Sequence, residues 1–213
     1  MKTNQLITLL STNVDTVEAG RLGKIVTWAL AIGGLVAFCT MVATVGFRAD
    51  LGSSSSLIFL ALKLLFSLSL LGIGARLLVK AMRPGRDLRK PFRLIVLPFM
   101  ATIVVAIVLL ALGHSASWMS LPPKAMWAGP LVCIPLFANA PLGLLIWALR
   151  KGAPTNLRGT ETIAGVVAGA TGASVYAFSC PVDSVPFVAL WYGAAIAFCA
   201  VIGAMIGPRF LRW

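Results

Sequence analysis

The sequence has few charged residues and few of the side chains on which enzymes rely. Only 11% of its 213 residues are charged, against roughly 25% in an average soluble protein. It contains one histidine and six acidic residues, and no acid lies centrally in a long apolar run. Intramembrane hydrolysis needs paired acids, a Ser–His pair or a metal cluster, and proton-coupled transport usually needs an intramembrane carboxylate or histidine. These shortages argue against an enzyme and against a proton-coupled pump.

Apolar residues are abundant, at 59% of the chain, and the mean hydropathy is +0.96. This balance excludes a soluble globular domain and a disordered chain. Six apolar runs are each long enough to cross a bilayer, and they cover residues 24–46, 57–79, 92–112, 125–149, 162–178 and 187–207. Short breaks make neighbouring runs antiparallel. The sequence therefore predicts an all-α polytopic membrane protein, with an N-terminal segment 1–22, a bundle of three helical hairpins within 23–208 and a tail 209–213.

The basic residues outnumber the acidic ones by 18 to 6 and give a net charge of +12. All but three of them lie before the first run, after the last, or around the breaks that follow the second and fourth runs. Because cytoplasmic loops retain Lys and Arg, we predict a multi-pass protein of the bacterial inner membrane with both termini in the cytoplasm. We interpret the excess charge as topology and contact with the lipid bilayer, and we expect no direct binding of nucleic acid.

Lys63 is the ionisable residue that lies well inside an apolar run. The interpretation we favour is a lysine that reaches back to the outer membrane interface, as long cationic side chains commonly do. The alternative is a fixed cation that faces the bundle and pairs with Asp50 or Asp183.

Two runs have unusual compositions. In the fifth run Gly165, Gly169 and Ala173 form a stripe of small residues, which allows close helix approach. We expect this stripe to pack inside the bundle rather than to form a homodimer. The fourth run should be kinked, because prolines interrupt backbone hydrogen bonding, and it contains Pro130, Pro135 and Pro141.

Two of the four cysteines are predicted to lie at the outer face. At about 1.5 Å per residue, Cys133 lies about 25 Å and Cys180 about 28 Å from the nearest cytoplasmic anchors. Thiols at this level can be oxidised or can bind a soft metal, copper or zinc, with His114 and Asp183 as weaker candidate ligands. The competing interpretation is that each cysteine is a small packing residue. We assign that role to Cys39 and Cys199.

Three stretches resemble the NrsF family of negative regulators of sigma-F-type sigma factors. They are the N-terminal MKTNQLITLL, IWALRKGAP at 146–154 and YAFSCPVDSVPFVALWYG at 176–193. The family consists of six-span inner-membrane anti-sigma factors marked by two cysteines, which would map to Cys133 and Cys180. The resemblance therefore implies that the chain binds a cytoplasmic sigma factor and releases it on envelope metal or oxidative stress.

The N-terminal segment is the first candidate for binding the sigma factor, because its apolar residues have helical spacing and an amphipathic helix can enter a partner groove. The candidate contacts are Leu6, Ile7, Leu9 and Leu10, together with Arg150 and Lys151 in a basic loop. The same segment could instead lie on the membrane surface.

Two other functions stay open. A small-solute transporter or channel would need a polar path, for which Lys63, Asn139 and Thr171 are scant material. A membrane-embedded assembly subunit or a homo-oligomer would use the stripe of small residues as its interface.

Overall fold

The computed structural model describes residues 20–49, 54–83, 89–112, 129–152 and 156–210, and within these ranges it consists of helices without strands. Five long helices are α1 (Arg21–Thr44), α2 (Ser54–Ala81), α3 (Arg89–Ala111), α4 (Gly129–Leu149) and α5 (Leu157–Tyr176). The sixth, α6, combines an α-helical turn Val185–Phe187, a π-helical turn Val188–Tyr192 and an α-helix Gly193–Phe210. The all-helical prediction is thereby confirmed.

Five of the six helices are long and apolar enough to span a membrane, namely α1 to α4 and α6. Many of their large apolar side chains point outward, as expected for surfaces that contact lipid rather than water. Those more than 60% exposed include Trp28, Leu35, Leu65, Val132, Leu190 and Met205. The protein thus has an apolar exterior as well as an apolar core.

Helix α5 differs from the others because it is central and less apolar. It packs against α2, α4 and α6, and it is buried almost continuously from Thr160 to Tyr176. A Cβ atom on Gly165 would lie 2.3 Å from the carbonyl oxygen of Cys199, and one on Gly172 would lie 2.6 Å from that of Ile134. Since these contacts are made to helices of the same chain, the small residues serve packing within the bundle, as predicted.

The spatial order of the helices differs from their order in the chain. Helix α1 packs mainly on α4, where Gly33 faces Pro141 closely enough that a Cβ atom would lie 2.7 Å from the Pro141 Cα. Helix α2 packs mainly on α5, so α1 and α2 touch each other only lightly. Of the predicted hairpins, α5 and α6 form the tightest pair. Helix α4 runs continuously across Pro135 and Pro141.

Two ends of the bundle are distinguished by their charged residues. At the first, called the basic end, α1 begins and α2 ends, and Gly152 after α4 contacts the side chain of Met82 after α2. At the other, called the cluster end, the segment after α1 meets the loop 177–184 between α5 and α6. The candidate site lies at the cluster end.

Candidate functional site

The centre of the cluster end is an ion cluster formed by Arg48, Lys63 and Asp183. The Arg48 guanidinium binds both carboxylate oxygens of Asp183, with Nη1–Oδ1 and Nη2–Oδ2 distances of 2.8 and 2.9 Å. The Lys63 Nζ atom lies 3.4 Å from the same Oδ1. A two-point contact between a guanidinium and a carboxylate is short, strong and fixed in orientation, so Asp183 is held in one position.

The two cations of the cluster are buried, and only Asp183 is partly exposed at the surface of the protein. The side chains of Arg48 and Lys63 are 4% and 0% exposed, whereas that of Asp183 is 23% exposed. The preferred interpretation of Lys63 as a side chain that reaches the membrane interface is therefore wrong. Lys63 stays inside because a carboxylate and a carbonyl oxygen are available there to compensate its lost hydration. The alternative pairing with Asp183 is confirmed, and Asp50 lies outside the described residues.

Arg48 reaches the cluster because the chain turns sharply after α1. Gly46 has a φ of +75°, a left-handed conformation that glycine adopts without a Cβ penalty. The backbone N–H of Arg48 then donates to the Phe178 carbonyl at 3.2 Å, and the Ser179 hydroxyl donates to the Gly46 carbonyl at 2.7 Å. The segment after α1 is thereby tied to the loop after α5.

The same cations hold the backbone of Cys180. Its carbonyl oxygen accepts hydrogen bonds from Lys63 Nζ at 3.0 Å and from Arg48 Nη1 at 3.3 Å. Arg48 also donates to the Ser56 hydroxyl in the first turns of α2, at 3.0 Å. A displacement of Cys180 would therefore act on the end of α1 and on α2 through direct polar contacts.

The two predicted sensor cysteines lie in the same region of the bundle, at the cluster end. Cys180 is 1% exposed and Cys133 is half-buried, and their thiols lie within electrostatic range of each other. The aromatic rings of Tyr176 and Tyr192 pack beside Cys180 with their centroids 5.9 Å apart. All four cysteines of the chain are free thiols. The sensing role of the pair stays a prediction.

The donor set limits which metal this site could hold. Within the described ranges, no group of three or more His, Cys, Asp or Glu side chains converges. Asp183 is engaged by two cations, and His114 lies outside the described residues. Two thiolates alone suit a soft monovalent ion such as Cu(I), whereas zinc would need further ligands. The cysteine pair thus fits copper better than zinc.

Asp183 lies in the loop 177–184, and its ionisation reflects its neighbours. Burial on its own raises the pKa of this carboxyl, but the hydrogen bond from Arg48 and the charges of Lys63 and Arg48 outweigh burial and hold the pKa below its ordinary value. Asp183 therefore stays ionised at neutral pH and remains paired with Arg48 and Lys63.

The residues predicted to contact the sigma factor are only partly described. Leu6, Ile7, Leu9 and Leu10 lie outside the described residues. Arg150 and Lys151 lie in the exposed turn after α4 at the basic end, and Lys151 Nζ is 4.1 Å from the centroid of the Trp147 ring. These two side chains are therefore accessible from the basic end.

Sequence reasoning missed the environment of Glu161, because it began the fifth apolar run one residue later, at 162. Helix α5 begins at Leu157, because Asn156 caps it by accepting a hydrogen bond from the Gly159 N–H at 3.0 Å. Glu161 consequently lies within the helix at 0% exposure, and neither carboxylate oxygen has a hydrogen-bond partner among the residues that the structure describes. An asparagine three residues before Gly159 is a capping signal that could have placed this helix start earlier.

These features define a class, an all-helical protein with an apolar exterior and five helices long enough to span a membrane. Residues 10–213 match NrsF, the negative regulator of sigma F, and the chain belongs to this family. It is 28% identical to the probable anti-sigma-F factor NrsF of Azospira oryzae over 215 residues and to the anti-sigma-F factor NrsF of Caulobacter vibrioides over 224 residues. Both alignments cover 100% of each chain. No solved structure matches the chain significantly.

Family membership settles the general role. The chain is a regulatory, non-enzymatic protein, a negative regulator of sigma F, with a sigma factor as its partner. The family match confirms the resemblance found in the sequence, and it does not favour a transporter or a channel.

Proposed function

We propose that the chain is an inner-membrane anti-sigma factor that holds a sigma-F-type sigma factor at the cytoplasmic face. Release follows when the thiols of Cys133 and Cys180 change state at the outer face. The observation that carries this proposal is the pair of hydrogen bonds from Arg48 and Lys63 to the Cys180 carbonyl. These contacts connect a candidate sensor residue to two helices whose other ends lie at the basic end.

In the proposed topology all six helices cross the membrane and the basic end faces the cytoplasm. The basic bias of the loops supports this orientation. Helix α5 crosses although it is less apolar, because the other helices shield it from lipid. In a variant without native cysteines, Lys24→Cys should react with a membrane-impermeant maleimide only after the cells are opened, and Ser117→Cys should react in intact cells. The opposite pattern would overturn the orientation.

Sensing begins at the thiol pair. Oxidation to a disulfide transfers two electrons to an external oxidant such as a peroxide and releases two protons, and capture of Cu(I) instead displaces the thiol protons. Either event changes the distance between α4 and the loop that contains Cys180. To free most of the sigma factor, it must favour the sigma-free state by a few kcal/mol.

At the cytoplasmic face, the N-terminal segment and the turn after α4 bind the sigma factor. The apolar cluster of Leu6, Ile7, Leu9 and Leu10 supplies an amphipathic surface, and Arg150 with Lys151 supplies positive charge. Deleting residues 2–20 without impairing insertion should raise expression from a sigma-F-dependent promoter. Unchanged repression in a normally inserted truncation would remove this segment from the interface.

The sensing step is tested with the four cysteines of the chain, because two serve as matched controls. Cys133→Ser and Cys180→Ser should each abolish or lock the promoter response to peroxide and copper, and the double variant should behave like either single one. Cys39→Ser and Cys199→Ser should respond as the wild type does. A normal response in the first pair would make those cysteines packing residues.

A further inference from the structure

Helices α1 and α2 leave a groove open between them at the basic end. Its volume is about 600 Å³, and it is lined by Gly23, Val26, Thr27 and Leu30 of α1 and by Ala75, Arg76, Val79, Lys80 and Arg83 on the side of α2. The groove exists because these two helices pack on α4 and α5 and touch each other only lightly. A volume of this size suits a small molecule or part of a larger one.

The lining changes from charged to apolar along the helix axes. Lys80 lies in the last turn of α2, close to the end of the bundle, and Arg76 lies one turn further in; both side chains are exposed. Neither forms an ion pair with a carboxylate of the described ranges. Val26 and Ala75 lie at about the level of Arg76, and Leu30 lies further from the end, so the inner part of the groove has an apolar wall. Such a site offers cations at headgroup level and hydrocarbon contact below it.

We propose that this groove binds one anionic phospholipid. The phosphate lies between Arg76 and Lys80, and one acyl chain follows Val26 and Leu30 toward the membrane centre. The two cations and the apolar inner wall of the groove complement a phospholipid, since basic pockets between transmembrane helices at the cytoplasmic side recognise anionic headgroups. Binding of the lipid requires the chain to lie in a membrane and is independent of sigma-factor binding.

The role of the two cations is tested with the purified, delipidated full-length protein. Native mass spectrometry measures its affinity for phosphatidylglycerol. The double variant Arg76→Gln/Lys80→Gln should bind phosphatidylglycerol about thirtyfold more weakly, since each cation contributes a modest attraction that multiplies with the other. Binding of phosphatidylcholine should change little. The matched control Arg93→Gln/Arg158→Gln removes two exposed charges from the same end and should retain affinity. Equal losses in both double variants would overturn the proposal.

A second variant tests the apolar part of the groove without altering charge. Ala75→Phe should fill the space beside Leu30 and lower the affinity for phosphatidylglycerol. An unchanged affinity in a folded Ala75→Phe protein would show that no acyl chain enters and would overturn the proposal.

One competition and one co-purification experiment distinguish the lipid from other partners. Excess sn-glycerol 3-phosphate should leave phosphatidylglycerol bound, and displacement would make this a site for a soluble phosphate. If Arg76→Gln/Lys80→Gln lost a co-purifying sigma factor while keeping its affinity for phosphatidylglycerol, the groove would be a protein docking site and the lipid proposal would be wrong.

Discussion

The two carboxylates in the described part of the chain lie at opposite ends of the bundle and in opposite circumstances. Asp183 at the cluster end is bound by two cations and keeps partial contact with the outside. Glu161 near the basic end is fully buried, and neither of its oxygens has a hydrogen-bond partner within the described ranges. Removing a partner from a buried pair is costly, whereas removing the charge of an unpaired buried acid relieves a desolvation penalty. The same chemical change should therefore have opposite effects at the two ends.

The helix contacts show a parallel difference. At α5 and α6, a Cβ atom on Gly203 would lie 2.4 Å from the Glu161 carbonyl oxygen, so the two backbones are in direct contact. Between α1 and α2 at the basic end there is instead an open groove. The bundle thus has a rigid centre around α5 and a looser pair formed by α1 and α2, which the ion cluster joins at the other end. Motion is easiest where contacts are few.

The largest expected effect is that of Asp183→Asn. This change leaves Arg48 and Lys63 buried without their counter-charge, and we expect the free energy of unfolding to fall by about 3–5 kcal/mol. Unfolding of the purified protein in SDS measures it. Glu161→Gln makes the equivalent carboxyl-to-amide change and serves as control. Equal effects of the two variants would contradict the comparison.

Next in size is Gly165→Ala. Its Cβ would meet the backbone of Cys199 and Ala200 at 2.3–2.8 Å, so α5 and α6 must separate, and we expect a loss of about 1–3 kcal/mol in the same assay. Gly72→Ala is the control, because no atom of the described part of the chain lies within 4 Å of a Cβ at that position. The control should gain up to about 1 kcal/mol from helix propensity. A destabilised Gly72→Ala would undermine the steric explanation.

Glu161→Gln should have a smaller effect of opposite sign. Replacing the acid by a neutral amide of the same shape should raise the stability by about 1 kcal/mol, because a buried carboxylate pays a larger desolvation penalty than a buried amide does. Thermal unfolding in detergent provides the measurement, with Glu161→Asp as the variant that keeps the charge. Lower stability of Glu161→Gln would mean that the carboxylate has a partner in the folded protein.

The response to acid is the smallest effect at mildly acidic pH, because Asp183 stays ionised there. Because the pKa of Asp183 is lowered in the folded state, its contribution to stability is fully present above the unfolded pKa of about 3.9 and is lost as the pH falls through the folded pKa. Stability measured between neutral and strongly acidic pH should decline in this acid range, and Asp183→Asn should decline less. Identical slopes in the two proteins would show that Asp183 is not the responsible group.

Much of the fold follows from the sequence because long apolar runs leave few choices. The first run was predicted at 24–46, and α1 occupies Arg21–Thr44. Depth along a helix also follows from residue counting, which placed Cys133 and Cys180 at one level. Counting gives height but not rotation about the axis, so it could not show that Lys63 faces inward. Its partner Asp183 is 120 residues away along the chain, and only the packing of α2 on α5 brings them together.

The most direct test of the account is where the sigma factor is found before and after oxidation. Membranes and soluble fractions of cells that produce the wild type or the Cys133→Ser/Cys180→Ser double variant are separated, and the sigma factor is quantified in each. In unstressed cells the wild type should retain the sigma factor in the membrane fraction, and peroxide should move it to the soluble fraction. The double variant should give the same distribution with and without peroxide. A sigma factor that is soluble in unstressed wild-type cells, or that leaves both membranes equally on oxidation, would contradict the account.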